Sequence, residues 1–436
     1  MKSNTLKIGD KKLINSWAFY DWANSVYSLV ISTAIFPIYF SGVTGGKIVR
    51  FLGIDWEHPE SLYSYAMSFS FLIVAFMSPI LSGIADYTGS KKKFLSFFCT
   101  FGSLAVMSLY FFKDSDTTWI GIWASIFASI GFWSSIVFYN AYLPEVALPE
   151  QQDSASAKGF IYGYIGSVIL LLISLVLIMK PTLFGLESSG YASRLSFVLV
   201  GLWWVGFAQF TLRKLPKNAS HAKPEENYFW KGYQELKNVF KEIKQYPTLK
   251  GFLVAFFLLS VGVQTIIIMA AFFGTTELEL ESTDMIVTIL LIQIVAIVGA
   301  KFFSKLSEKY GNFKALKITI LIWMLVCFGA FSLHKGIPNV GYYFYSLGGL
   351  LGFVLGAVQS LTRSTYSKLL PETEDHATYF SFYDVTEKIA IVMGTLVYGF
   401  LNAVTDSMQW SVLSLAIFFL ASLLVLNTLK RTKYVS

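Results

Sequence analysis

Six ionisable residues of this 436-residue chain, Asp21, Lys301, Arg363, Asp384, Glu387 and Lys388, interrupt long apolar runs. Charge at such depth is costly to bury, so these residues usually face a bundle interior or a wet path and handle ions or polar solutes. Trp17, Asp21, Asn24 and Ser28 recur at spacings of four, three and four, which places them on one face of a helix. Asp21 could carry a coupling proton, hold a solute amine or accept from neighbouring donors. Arg363 could hold a solute carboxylate through paired N–H groups, or pair with Asp21 or Glu387. Asp384 and Lys388, four residues apart, are expected to satisfy each other. That leaves Glu387 less obviously paired and makes it a second candidate proton carrier. Lys301, close to a helix end, should snorkel to the interface.

The elements that must position these groups are membrane helices. The chain is 55% hydrophobic and 14% charged, where soluble domains carry about 25% charge. Twelve stretches reach the length needed to cross a bilayer: near 14–41, 61–85, 93–112, 118–144, 158–180, 192–212, 250–273, 283–305, 315–333, 340–369, 380–402 and 411–429. In hydrocarbon each backbone group must find its partner within its own segment, so these are helices. With both termini inside, the inner connections hold about 25 Lys and Arg against about 6 outside. The inner set includes Lys11, Lys12, Lys91 to Lys93, nine bases from Arg213 to Lys250, and Lys430, Arg431 and Lys433. The net charge of +7 is therefore topogenic, and a nucleic-acid partner is not indicated.

The expectation is an all-α protein of two six-helix halves, 1–213 and 249–436, joined by a linker at 214–248. Within that linker Phe229, Tyr233, Leu236, Phe240 and Ile243 alternate at spacings of four and three, which predicts an amphipathic helix on the inner membrane face, closed by Pro247. Cys99 and Cys327 lie in apolar runs and suit inert packing rather than a disulfide or a metal site. His58, His221, His334 and His376 all fall outside the deep parts of helices, so no imidazole relay or metal is expected. Gly45-Gly46-Lys47 is the nearest approach to a phosphate loop, but its spacing is wrong and Ile48 replaces the hydroxyl residue. ATP coupling, cofactors and a nucleophile–base constellation are accordingly not expected. Gly348, Gly352 and Gly356, like Gly159 and Gly163, have the four-residue spacing of close helix packing.

Two segments recur at one offset. Ser82-Gly-Ile-Ala-Asp86-Tyr-Thr-Gly89 matches Ser304-Lys-Leu-Ser-Glu308-Lys-Tyr-Gly311, displaced by 222 residues. Leu148-Pro149-Glu150 with Asp153 and Ala155 matches Leu370-Pro371-Glu372 with Asp375 and Ala377 at the same displacement. A duplicated six-helix unit explains both, as in many secondary transporters. Gly83, Asp86, Gly89, Lys91 and Lys92, with Glu308 and Gly311 in the second copy, are candidates for an inner latch, because a carboxylate in such a tight loop can pair with nearby bases and hold one conformation.

The loop from Ser82 to Lys93 resembles the signature of the major facilitator superfamily, with Ser82, Tyr87 and Ser90 departing from it. Trp17-Ala-Phe-Tyr20-Asp21-Trp22-Ala-Asn24-Ser25, Asn140-Ala-Tyr-Leu-Pro144-Glu145 and Gln359-Ser-Leu-Thr-Arg363-Ser364 resemble the branch that contains the yeast vacuolar amino-acid effluxer and its bacterial relatives. The resemblance implies the major facilitator fold in a monomer of the bacterial inner membrane. It also implies alternating-access export of amino acids or similarly small solutes, with Asp21 and Glu387 as the candidate proton carriers. It adds Tyr20, Asn140 and Gln359 to the candidate contacts.

Overall fold

The computed structural model describes residues 7–45, 47–217, 227–405 and 407–429. Lys430, Arg431, Lys433, Gly46, His221 and Asp406 lie outside them. Twelve helices are long and apolar enough to cross a membrane. The first six are α1 (Lys11–Thr44), α2 (Pro59–Thr88), α3 (Lys91–Ser108), α4 (Thr118–Asn140), α5 (Gln152–Met179) and α6 (Ser189–Lys214). A shorter helix, α7 (Tyr228–Ile243), precedes α8 (Pro247–Phe272), α9 (Ser282–Tyr310), α10 (Asn312–Ser332), α11 (Val340–Leu369), α12 (His376–Thr405) and α13 (Met408–Thr428). Large apolar side chains such as Phe76, Val298, Leu325 and Ile417 are exposed on these helices, as lipid-facing residues must be.

Packing divides the chain into two compact units, Met1–Tyr142 with Tyr162–Glu235, and Leu143–Ile161 with Leu236–Ser436. The division therefore runs through α5 and through α7. In the first unit α1 packs on α6, α3 on α4 and α6, and α2 on α4. The second unit repeats the scheme with α8 on α13, α10 on α11 and α13, and α9 on α11. The duplication read from the two short segments thus extends to helix pairing. The tightest crossing is α9 on α11, where a Cβ at Gly352 would come 2.5 Å from the Ile292 carbonyl and one at Gly356 would collide with that of Ala296. The four-residue glycine spacing on α11 therefore serves close packing.

The end of α7 and the loop after α1 depart from the sequence reading, and the packed side of α7 adds to it. α7 ends at Ile243, and Pro247 opens α8 as its first residue rather than closing α7, consistent with the preference of proline for a first helical turn. The packed face of α7 is Gly232, Val239 and Ile243, while Tyr233 and Phe240 are exposed. Gly232 sets this orientation, because its bare edge lets α7 sit on the α2 backbone at Ile80 and Ile84. Between α1 and α2 a hairpin forms from β1 (Val49–Phe51) and β2 (Ile54–Trp56), with Leu52 and Gly53 both at positive φ in its two-residue turn.

Candidate functional site

The polar face of α1 is buried from Trp17 to Asn24 and exposed at Ser28. Asp21 is 3% exposed and its Oδ2 accepts a 2.8 Å hydrogen bond from the Tyr139 hydroxyl at the end of α4. Tyr139 is held in turn by Trp17, whose Nε1 donates to the Tyr139 carbonyl at 2.9 Å and whose ring stacks on it at 4.7 Å. Tyr20 flanks Tyr139 with ring centroids 4.9 Å apart. One turn on, Asn24 is 1% exposed and its Nδ2 has no hydrogen-bond partner. The Tyr20 hydroxyl is also buried without one. Gly163 allows this arrangement, since a Cβ there would strike Ser25 Oγ and crowd the Asp21 carbonyl at 3.3 Å. Beyond Asn24 the helix loosens to π geometry over Tyr27–Ile35, where Ser28 and Thr33 are exposed and the Thr33 hydroxyl donates to the Ser28 carbonyl at 2.9 Å. Such π stretches recur at functional sites, because the looser ladder re-aims side chains.

The loop after α2 is built on a buried ion pair. Gly89 takes a left-handed conformation with φ 61° and ends the helix, its N–H donating to the backbone carbonyl of Asp86. Lys91 Nζ then lies 3.4 Å from Asp86 Oδ1, with both side chains 1% exposed, and 5.6 Å from the Tyr142 ring centre. Lys92 donates to the Leu215 carbonyl at 2.9 Å and ties the loop to the end of α6. Gly83 faces the carbonyl of Gly232 so closely that no Cβ would fit, and it brings α7 against α2.

The equivalent loop after α9 keeps the glycine, Gly311 at φ 88°, but not the pair. Phe313 stands where the repeat aligns Lys91 and is buried, and Glu308 is exposed. The buried contacts run instead to Asp153, at the start of α5. Its carboxylate accepts from Ser307 at 2.8 Å, from Asn312 Nδ2 at 2.7 Å and from Lys368 Nζ at 2.7 Å. Lys368 also donates to Asn312 Oδ1 at 3.0 Å. These bonds are one physical reason that the first turns of α5 pack with the second unit.

Arg363 on α11 is 3% exposed. Its Nε donates to Ser156 Oγ at 2.9 Å, its Nη2 to the Ser156 carbonyl at 2.8 Å, and its guanidinium lies 4.2 Å from the Phe160 ring centre. Ser156 Oγ donates onward to the Ser360 carbonyl at 2.8 Å, so α5 and α11 are clasped at this point. On α12, Lys388 Nζ sits 3.0 Å from Asp384 Oδ1 and 3.5 Å from Glu387 Oε2. Glu387 also accepts from Gln264 of α8 at 2.7 Å. The expected Asp384–Lys388 pair is therefore present and shared with Glu387.

Among the sequence candidates, Tyr20, Asp21 and Asn24 lie together in the first unit, while Arg363 on α11 and Glu387 on α12 belong to the second, with Tyr383 within electrostatic reach of both. Asn140, at the end of α4, is buried, and Gln359 on α11 is partly buried. Lys301 is exposed on α9, and Cys99 and Cys327 are buried and free. Sequence reasoning missed Tyr139, Ser156, Gln264 and the Asp153 hub. Asp153 was visible in the repeat and Gln264 as the one amide in α8, but their partners lie 123 or more residues away.

Residues 9–434 match the family described as vacuole effluxer Atg22 like. An uncharacterised MFS-type transporter, YxiO of Bacillus subtilis, is 33% identical over 94% of this chain and 93% of its own length. Autophagy-related protein 22 of Kluyveromyces lactis is 26% identical over 96% of this chain and 93% of its own. Among solved structures, the E. coli fucose:proton symporter FucP superposes with a TM-score of 0.68 at 14% identity, covering 97% of this chain and 98% of that one. The proton:xylose symporter XylE gives 0.70 at 12% identity, covering 98% and 96%. At such identities the likeness shows the fold, which is that of the major facilitators. The buried polar cluster of α1 and the signature loop after α2 therefore sit in a multi-pass membrane transporter of that superfamily, and the chain belongs to its Atg22-like branch.

Proposed function

We propose that this protein is a secondary carrier that exports small zwitterionic solutes of the amino-acid class by alternating access, from a bacterial inner membrane with both termini inside. The observation that carries this reading is the pairing of Asp21 with Asn24 Nδ2 on one buried face of α1. An ionised carboxylate suits a solute ammonium, and an amide donor without a protein partner suits a solute carboxylate one turn away. A buried donor left without a partner costs about 1–3 kcal/mol, which a bound carboxylate would recover. The inner-side charge bias supports the orientation, and the effluxer relatives support the direction.

Binding is tested by following the melting temperature of purified protein against single amino acids, sugars and peptides, since a ligand that binds only the folded state raises it. The expected outcome is a rise with one or more amino acids that disappears in Asp21→Asn and shrinks in Asn24→Ala, both variants keeping the wild-type melting point without solute. A rise with sugars alone would refute the zwitterion assignment. Turnover of a lipid-linked compound without solute flux would instead place the chain among membrane-embedded enzymes.

A further inference from the structure

The cluster on α12 has a charge count that does not close. Asp384 and Glu387 present two carboxylates to the single ammonium of Lys388. Glu387 is partly exposed and takes a second bond from Gln264, so it can stay ionised. Asp384 differs. It is 4% exposed, its Oδ1 accepts from Lys388, and its Oδ2 is buried with no hydrogen-bond partner. An ionised oxygen in that position carries the desolvation cost of a buried charge without compensation, whereas a neutral acid avoids most of it.

Among the described residues no second base pairs with either acid, and Arg363 of α11 bonds instead to Ser156. α8 presents Gln264, and its only charge is Lys250 in the first turn. α13 has no charged residue over Met408–Thr428. α11 contributes Thr362, which accepts from Tyr383, and Arg363, which lies within electrostatic reach of Tyr383. Near the start of α12, Glu242 of α7 accepts from Tyr379, and Glu145 pairs with His376, so these acids add no positive charge either. The charges that act on Asp384 itself are those of Lys388 and Glu387.

We propose that the Asp384–Glu387–Lys388 cluster is a proton-binding site, with the proton held on the Asp384 carboxyl while Lys388 neutralises Glu387. Binding is a simple association of one proton with one carboxylate oxygen, and release returns it to water. The assignment of the proton stands on the cluster alone. Its use in driving export rests on the carrier reading above.

Infrared spectroscopy of the full chain in lipid vesicles at neutral pH tests the assignment. A carboxylic-acid carbonyl band is expected that shifts when aspartate side chains are carbon-13 labelled and stays when glutamates are. It should vanish in Asp384→Asn, and also in Glu387→Gln, where Lys388 is free to neutralise Asp384. It should persist in Lys388→Gln, where Asp384 loses its positive neighbour and Glu387 keeps its bond from Gln264. Absence of the band from the wild type, or a shift with glutamate labelling, would overturn the proposal, and the labelled wild type decides the matter even if a variant fails to fold. Solute-linked proton movement into vesicles carrying a pH dye should fall at least tenfold in Asp384→Asn, with solute counterflow within about twofold of wild type. Unchanged proton movement in that variant would overturn the coupling role. A wild type that keeps the band but shows no counterflow would sink the carrier reading and leave the proton site standing.

Discussion

The loops after α2 and α9 descend from one repeated segment and share a glycine at positive φ, yet they are stabilised by opposite means. The first buries its acid and its base together, with Asp86 and Lys91 3.4 Å apart and out of water. The second has lost the base to Phe313, and its acid, Glu308, has moved to the surface. Losing one partner of a buried pair costs the other its counterion, and in the second loop neither charge is buried at the aligned position. The second loop then binds through neutral donors, Ser307 and Asn312, to a carboxylate supplied by Asp153. What the repeat retains is the turn, and the charges around it are replaceable in compensated sets.

This contrast can be broken at several points. Lys91→Met removes the base 3.4 Å from Asp86 in a dry site and should cost about 3–5 kcal/mol of stability in denaturation of the purified protein. The double change Asp86→Leu with Lys91→Leu should recover most of that loss. Asp153→Ala removes three hydrogen bonds and the counterion of the Lys368 side chain, which is buried and keeps its bond to Asn312, so about 3–5 kcal/mol is expected. Gly232→Ala forces a methyl against the α2 backbone and should cost about 1–2 kcal/mol by the same measurement. Glu308→Gln, on an exposed side chain, should stay within about 0.5 kcal/mol. If Glu308→Gln were as damaging as Lys91→Met, the two loops would be alike and the comparison would fail.

The fold was legible because membrane helices announce themselves by apolar length, and the ends found here lie within a few residues of the hydrophobic runs. The polar face of α1 was legible for a related reason, as Trp17, Asp21 and Asn24 stand out where everything else is apolar. α7 was harder. It carries apolar residues on two sides, and only the position of Gly232 against α2 decides which side is packed. The hairpin strands are three residues each, too short to show a period, and the π stretch of α1 leaves no mark in composition. The clasps at Asp153 and Arg363 were hidden because their partners are distant in sequence, so residue type alone could name a charge but not what satisfies it.

The central claim, a solute carrier working through Asp21, is tested most directly by counterflow. Vesicles containing the purified protein are loaded with an unlabelled amino acid that raises its melting temperature and diluted into the labelled form, with no ion gradient. Alternating access predicts a transient accumulation of label above its equilibrium level in the wild type and none in Asp21→Asn. An equal overshoot in Asp21→Asn, or binding without any overshoot in the wild type, would contradict it.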